Sequence, residues 1–407
     1  MSRTILQPLP AERWQRTLYI AFFGQLVSAM AFSLIFPFLP LYVQYLGTQL
    51  GPSLEFWAGM AFSSQAITMA LASPIWGALS DRYGRKVMLE RAMFGGAVLL
   101  GLMAFVRSAE ELALLRAIQG LITGTVSAAN ALVAGETPRE RIGYAMGLLQ
   151  VGFWGGVAVG PLVGGILADI WGFRVPFLAT SALLLISGFL IWFGVHEQFN
   201  PAASTMGGAR EFLSGWGELL CRPGLRITYA LRFMGTVGQT IIQPIAPLFI
   251  QSLLSPGAPV GTFTGVTAGL ASASSIGSAI YLGRLGDRVG QRRVLRASLA
   301  VAALLYLLQS FATRAWQLLI LQMLSGAALG GIIPTLSALL ARYGHYGEEG
   351  NVYGLDNSIS SAARALAPML GASIAMGLSL RTTFAASGVL FCLSAVLANV
   401  GLPRRET

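Results

Sequence analysis

Charge is scarce in this chain. Of its 407 residues, 11% are Asp, Glu, Lys or Arg, less than half the roughly 25% of a soluble domain. That shortage excludes a water-soluble enzyme and a disordered chain. Lysine is nearly absent, Lys86 standing alone among 27 basic residues, which reads as a genomic bias and not a functional one. The two cysteines, Cys221 and Cys392, lie in different regions and make no disulfide framework. The two histidines, His196 and His345, fall outside the apolar stretches. There is no HExxH, CxxC, phosphate loop or serine nucleophile elbow. We therefore expect no metal, no cofactor and no enzymatic chemistry, and no use of ATP unless another subunit supplies it. The opening MSRTILQPLPAERWQR has no short apolar core ending in small residues, so no cleavable signal peptide is expected.

What the chain has instead is apolar bulk, 55% hydrophobic with 49 glycines, a composition suited to close-packed membrane helices. A bilayer core needs roughly 20 apolar residues per helix. Twelve such stretches are predicted near 17–46, 55–78, 87–106, 110–134, 143–168, 175–195, 226–253, 262–283, 294–312, 315–341, 352–378 and 383–401, called spans 1 to 12 below. With the N-terminus in the cytoplasm, twenty basic residues fall on that side and four, Arg107, Arg174, Arg314 and Arg381, on the other. The remaining three, Arg116, Arg232 and Arg364, lie within spans. The asymmetry predicts that both termini are cytoplasmic.

The chain is also a duplicated half. GALSDRYGRKVML after span 2 returns as GRLGDRVGQRRVL after span 8, and Pro37 and Pro40 return as Pro244 and Pro247. Pro161 matches Pro368, and Gly120 matches Gly326. All share an offset of 206 or 207. Six spans per half make parallel repeats, related by an axis along the membrane normal. The expected divisions are a six-helix bundle over 1–195, a polar linker over 196–225 and a second bundle over 226–407.

GALSDRYGRK resembles the loop 2–3 signature of the major facilitator superfamily, and Arg116, Gln119 and Gly120 resemble its span 4 motif. GVAVGPLVGG, Gly156 to Gly165, is similar to the span 5 motif of its twelve-helix drug:proton antiporter branch. FSLIFPFLPLYV, ASPIWGALSDRYGRK and AANAL look most like MdtG-type bacterial multidrug efflux transporters. The resemblance covers nearly the whole chain. It implies an all-α polytopic protein of the bacterial inner membrane, two six-helix bundles working by alternating access, and a proton-coupled antiport of small amphipathic compounds or drugs. It also implies that spans 1, 4, 7 and 10 line the central cavity.

The residues supply their own reading of these motifs. Asp81, beside Gly77, Arg82 and Arg85, sits at the end of span 2, where it can clasp the positive N-terminus of span 11. By the repeat, Gly283, Asp287 and Arg288 would do the same between spans 8 and 5; the plainer alternative is a basic topological stop. Gly156, Gly160 and Gly164, with Pro161, mark a smooth stripe on span 5, as Gly265 and Gly269 do on span 8. Such stripes predict either a 5–8 hinge or static packing within one half.

Polar side chains at helical spacing predict the cavity: Arg116, Gln119, Thr123 and Asn130 on span 4, and Arg232, Gln239 and Gln243 on span 7. Gln25, Phe32 and Phe36 of span 1 join them. Interhelical hydrogen bonding alone is the competing account. Gln25 and Ser28 stand where many antiporter relatives carry an acid. Candidates for carrying the proton are therefore Asp356 and Glu55, with Glu90 and Asp169 behind them; a gate ion pair to loop 2–3 is the other expectation for Asp356. Arginines and amides in the cavity favour anionic, zwitterionic or neutral substrates over cations. The expected partners are a small-molecule substrate, protons and membrane lipids, with no nucleic acid and a monomeric chain. Two other functions remain open: an uptake or facilitative carrier for an organic anion or other metabolite, and a receptor or embedded enzyme on the same scaffold.

Overall fold

A computed structural model describes residues 11–402 except 123, 125–128, 131, 134–135, 139–140, 196, 198–215 and 345–347; side chains are also left out of the description at 11–13, 74, 77–78, 81–82 and 349–350. Among the described residues there are helices and no strand, as a bilayer requires of a chain that does not close a barrel. The fold is twelve spans in two six-helix bundles. Among the described residues, eight helices are each long and apolar enough to cross a membrane.

Proline sets the breaks. Span 1 runs Ala11–Leu34 and resumes as Leu39–Leu46 around Pro37 and Pro40, and span 7 runs Pro223–Thr240 and resumes as Ala246–Leu253 around Pro244 and Pro247. A proline removes a backbone donor and clashes with the preceding turn. Glycine sets the tightest loops. Gly84 joins span 2 (Leu54–Tyr83) to span 3 (Arg85–Met103) at φ +97, and Gly290 joins span 8 (Val260–Val289) to span 9 (Gln291–Ser310) at φ +97. Only glycine adopts that backbone without a Cβ penalty. Span 4 is described as helix over Ala109–Ile122, span 5 over Ile142–Trp171 and span 6 over Arg174–Gly194. Spans 10, 11 and 12 run Ala315–Tyr343, Glu349–Gly377 and Leu380–Val400.

The repeat is built in atoms as well as letters. The Thr180 hydroxyl of span 6 donates to the Ala31 carbonyl of span 1, and the Ser387 hydroxyl of span 12 donates to the Gly238 carbonyl of span 7. Tyr42 packs its ring 5.0 Å from Phe177, and Phe249 packs 5.1 Å from Phe384. Lys86 donates to the Trp192 carbonyl, and Arg292 donates to that of Asn399. Each pair is related by the same offset of 206 or 207. Large apolar side chains such as Phe105, Phe193, Leu308 and Val400 are exposed on the outside. In water that surface would aggregate; against lipid tails it is at home.

The two bundles meet at one face and part at the other. Call the face with loops 2–3 and 8–9 the basic face. Towards the opposite face, a Cβ on Gly59 of span 2 would lie 2.7 Å from Ala372 of span 11. There too, Gly165 and Gly265 of spans 5 and 8 leave no room for one against the backbones of Gly261 and Pro161. Towards the basic face, Cβ atoms on Gly143, Gly147, Gly277 and Gly283 would meet nothing within 4 Å.

Candidate functional site

The opposite-face closure is the better-defined contact. The Asp169 carboxylate at the end of span 5 accepts hydrogen bonds from the backbone N–H groups of Gly261 (3.0 Å) and Thr262 (2.6 Å), the first turn of span 8. A carboxylate there satisfies orphan donors and meets the positive end of the helix dipole. Below it, span 5 presents Ala158, Pro161, Leu162 and Gly165 to Gly261, Gly265 and Gly269. Gly265 and Gly269 meet span 5. Gly156, Gly160 and Gly164 do not meet span 8: they abut the span 1 backbone at Leu26, Met30 and Leu34, and the Ser33 hydroxyl donates to the Gly156 carbonyl at 3.2 Å. Spacing of four identifies a stripe but not the neighbour it faces. The span 8 contact sits one residue further on, about 100° round the helix.

The latch residues divide. The side chains of Gly77, Asp81 and Arg82 lie outside the described residues. Asp287 is exposed and accepts from Gln291 Nε2 at 2.9 Å within its own loop, while Arg288 is exposed and Gly283 is uncontacted. Among the described residues Asp287 makes no hydrogen bond or ion pair to span 5, where the basic face is parted. Arg85 and its neighbour hold a partner that the motif did not announce. Their backbone N–H groups donate to the Glu197 carboxylate at 3.0 and 2.8 Å, capping span 3 from the chain just after span 6.

The polar stripes also divide. Arg116 is 2% exposed; its Nε donates to the Ala61 carbonyl of span 2 and its Nη1 to Gln119 Oε1, both at 3.0 Å. Its guanidinium lies 6.0 Å from the Phe62 ring centroid, and Phe62 stacks on Phe36 at 5.9 Å. Arg116 and Gln119 are thus a strut between spans 4 and 2, not cavity lining. Gln25 is 2% exposed and likewise leaves the cavity list. Periodicity could not detect this, because a polar stripe facing a neighbouring helix has the same spacing as one facing water. Phe36 is exposed, Phe32 and Asn130 are half-buried, and Thr123 lies outside the described residues. On span 7, Gln239 and Gln243 are exposed.

Arg232 is the residue most changed by three dimensions. Its Nη2 lies 3.2 Å from Asp356 Oδ2 on span 11, and its Nε donates to Ser360 Oγ at 3.0 Å. Asp356 is buried, and its Oδ1 has no hydrogen-bond partner among the described residues. The sequence had offered these two as separate cavity cation and proton carrier; the fold makes them one ion pair. Among the described residues the ion-pair partner of Asp356 is Arg232 on span 7; of loop 2–3, the side chain of Arg82 lies outside the described residues. Arg364, eight residues on from Asp356, is exposed and close enough to feel the charges of both Asp356 and Arg232. Glu55 sits half-buried in the first turn of span 2, towards the opposite face.

Two packed bundles with a seam closed at one face, parted at the other and carrying an ion pair at membrane depth define a membrane carrier. The family profile of the Major Facilitator Superfamily matches residues 21–280 and 228–407. The chain belongs to that superfamily. It is 35% identical over 397 residues to the multidrug resistance protein MdtG of Dickeya zeae, covering 97% of this chain and 96% of the relative. It is also 35% identical over 393 residues to MdtG of Enterobacter lignolyticus, covering 96% and 93%. Among solved structures, the nucleoside transporter NupG superimposes with a TM-score of 0.78 at 14% identity, over 94% of this chain and 100% of that one. The human organic anion transporter MFSD10 superimposes with 0.65 at 21% identity, over 96% and 100%. These two likenesses speak for the fold.

Proposed function

We propose that this chain is a secondary carrier of the bacterial inner membrane that exports small amphipathic compounds by alternating access, in exchange for protons. The observation carrying this reading is the seam between the bundles, sealed by spans 2 and 11 and by spans 5 and 8 near one face and parted near the other. Relatives named as multidrug resistance proteins support the cargo class. The halves are taken as 1–195 and 226–407 with the linker 196–225 between them, although the span 7 helix starts at Pro223. With twenty basic residues to four, the basic face and both termini are assigned to the cytoplasm, which makes this conformation inward-facing. The chain acts as a monomer, embedded in lipid.

On this reading Asp81 and Asp287 engage spans 11 and 5 only when the basic face closes, so an exposed Asp287 is the expected resting state. Span 5, through Pro161 and Gly165, and span 8, through Gly265 and Gly269, form the hinge. Asp356 is the leading proton carrier, being buried with one oxygen unpartnered, and Glu55 the second. Uptake or facilitated passage of an organic anion is the alternative, and the exposed Arg364 is what favours it.

The test is flux in inverted against right-side-out vesicles under an imposed proton gradient, with a drug-susceptibility panel for cells carrying the wild type or Asp81→Asn. Gradient-driven accumulation in inverted vesicles, with resistance lost in the variant at normal expression, supports export. Accumulation in right-side-out vesicles alone would establish the alternative.

A further inference from the structure

The structure gives each of the three arginines expected inside spans, Arg116, Arg232 and Arg364, a different fate. Arg116 is buried on Ala61 and Gln119. Arg232 is held by Asp356 and Ser360, and that pair is neutral overall. Arg364 makes no hydrogen bond or ion pair among the described residues, yet it is solvent-accessible and within electrostatic reach of Arg232 and Asp356. It shares a face of span 11 with the exposed Asn357 and with Pro368 and Ala372, one and two turns on, which meet Gly59 of span 2, so that face borders the seam. Arg364 lies about 12 Å deeper than Asp356 along the helix axis. An unpaired guanidinium at membrane depth is expensive, and such a residue is kept where it faces a water-filled path or a partner.

Gln239 and Gln243 of span 7 and Phe36 of span 1, 42% exposed, are accessible as well. At the repeat offset, the first-half counterparts of Arg232, Asp356 and Arg364 are Gln25, Leu149 and Val157. The charged group is therefore a property of the second bundle alone.

We propose that Arg364 is the residue that selects cargo by charge: it receives the carboxylate, sulfonate or similar oxyanion of an acidic amphiphile entering from the parted face. Asp356 keeps Arg232 engaged, so Arg364 supplies the site's net positive charge. A guanidinium fork matches such an oxyanion with two parallel charge-assisted hydrogen bonds. The proposal rests on the carrier reading above and goes beyond it by naming the cargo's charge and the residue that reads it.

The experiment uses the full chain in nanodiscs of neutral lipid and three radiolabelled probes sharing one aromatic body: naphthalene-2-sulfonate, 2-naphthalenemethanol and a naphthyl trimethylammonium. Wild type is expected to bind the sulfonate tightest. Arg364→Gln should weaken the sulfonate about tenfold or more, the scale of one charge-assisted contact, and leave the alcohol unchanged. Arg364→Lys should keep part of the preference. Arg116→Gln should leave it intact, and Asp356→Asn should tighten the sulfonate by releasing Arg232. Equal loss of all three probes in both Arg364 variants, or an unchanged sulfonate affinity in Arg364→Gln, would overturn the assignment. Sulfonate binding abolished by anionic lipid would make a headgroup phosphate the natural occupant and equally sink the cargo role. Wild type that binds the alcohol without preferring the sulfonate fails this proposal while sparing the carrier reading. Wild type that binds none of the probes fails both.

Discussion

The two bundles share a scaffold and differ in their polar interiors. Thr180 on Ala31 answers Ser387 on Gly238, and Tyr42 against Phe177 answers Phe249 against Phe384. Inside the first bundle, however, the membrane-depth arginine is spent on a backbone carbonyl and a neighbouring amide. Inside the second, an arginine is tied to a carboxylate and another is exposed. Duplication preserved the contacts that hold helices together, since those depend on backbone spacing and small side chains. Away from the glycine contacts that close the seam the halves differ in chemistry: Arg232, Asp356 and Arg364 stand where the first half has Gln25, Leu149 and Val157.

The comparison can be broken first at the seam. Gly265→Leu places a side chain against the Pro161 backbone across the two bundles, and transport should fall to background while each bundle folds. Gly160→Leu collides with span 1 inside one bundle and should instead cost expression. Fluorescence size-exclusion profiles and vesicle flux separate the two, after Cys221 and Cys392, both exposed, are replaced so that introduced pairs can report seam closure. Similar profiles for both variants would erase the distinction between seam and interior.

Next comes the buried strut. Arg116→Ala removes the donor to the buried Gln119 Oε1 and the tie to the Ala61 carbonyl and should cost about 1–3 kcal/mol of stability, the scale of a buried group left unsatisfied. The relative affinities for charged and neutral cargo should stay as they were. A thermal melt in detergent, paired with a cargo panel, checks it; altered selectivity at unchanged stability would return Arg116 to the cavity.

A smaller effect is expected at the opposite-face closure. Asp169→Asn withdraws the charge from the span 8 N-terminus, an interaction of about 0.3–1 kcal/mol and up to ~2 in a partly buried setting. The equilibrium should shift towards opening at that face, read as faster alkylation of a cysteine placed at Gln44. No change in labelling would reduce Asp169 to a surface cap. Smallest of all, Thr180→Val and Ser387→Ala each remove one interhelical hydrogen bond, worth about 0.5–1.5 kcal/mol. Their costs in the same melt should agree; a clear inequality would mean that the scaffold symmetry is geometric but not energetic.

Much of this was legible before any coordinates. Pro37, Pro40, Pro244 and Pro247 marked the repeat, but spans 1 and 7 were expected unbroken; their breaks, where a missing N–H acts locally, and the positive φ of Gly84 and Gly290 came with the structure. The Arg232–Asp356 pair was not legible: 124 residues separate its members, and no spacing rule connects positions on different helices. Gln25 and Arg116 were misassigned for a related reason, since polar periodicity records that a face is polar and not what it meets. Glu197 left no motif at all, being a lone acid whose role exists only where span 6 delivers it to the start of span 3.

The sequence by itself determined the number of spans, the duplication and the balance of charge between the two faces. These follow from hydropathy, from the repeated motifs and from arginine counts, all of them local or additive along the chain. Tertiary structure alone decided which side of each helix meets which neighbour: that the glycine stripe of span 5 serves span 1, that Pro161 and Gly165 meet span 8, and that Arg364 stays accessible while Arg116 and Arg232 are engaged. The reason is rotational. A helix carries a face every 100° or so, and only the packing of all its neighbours fixes which of those faces is turned to the seam.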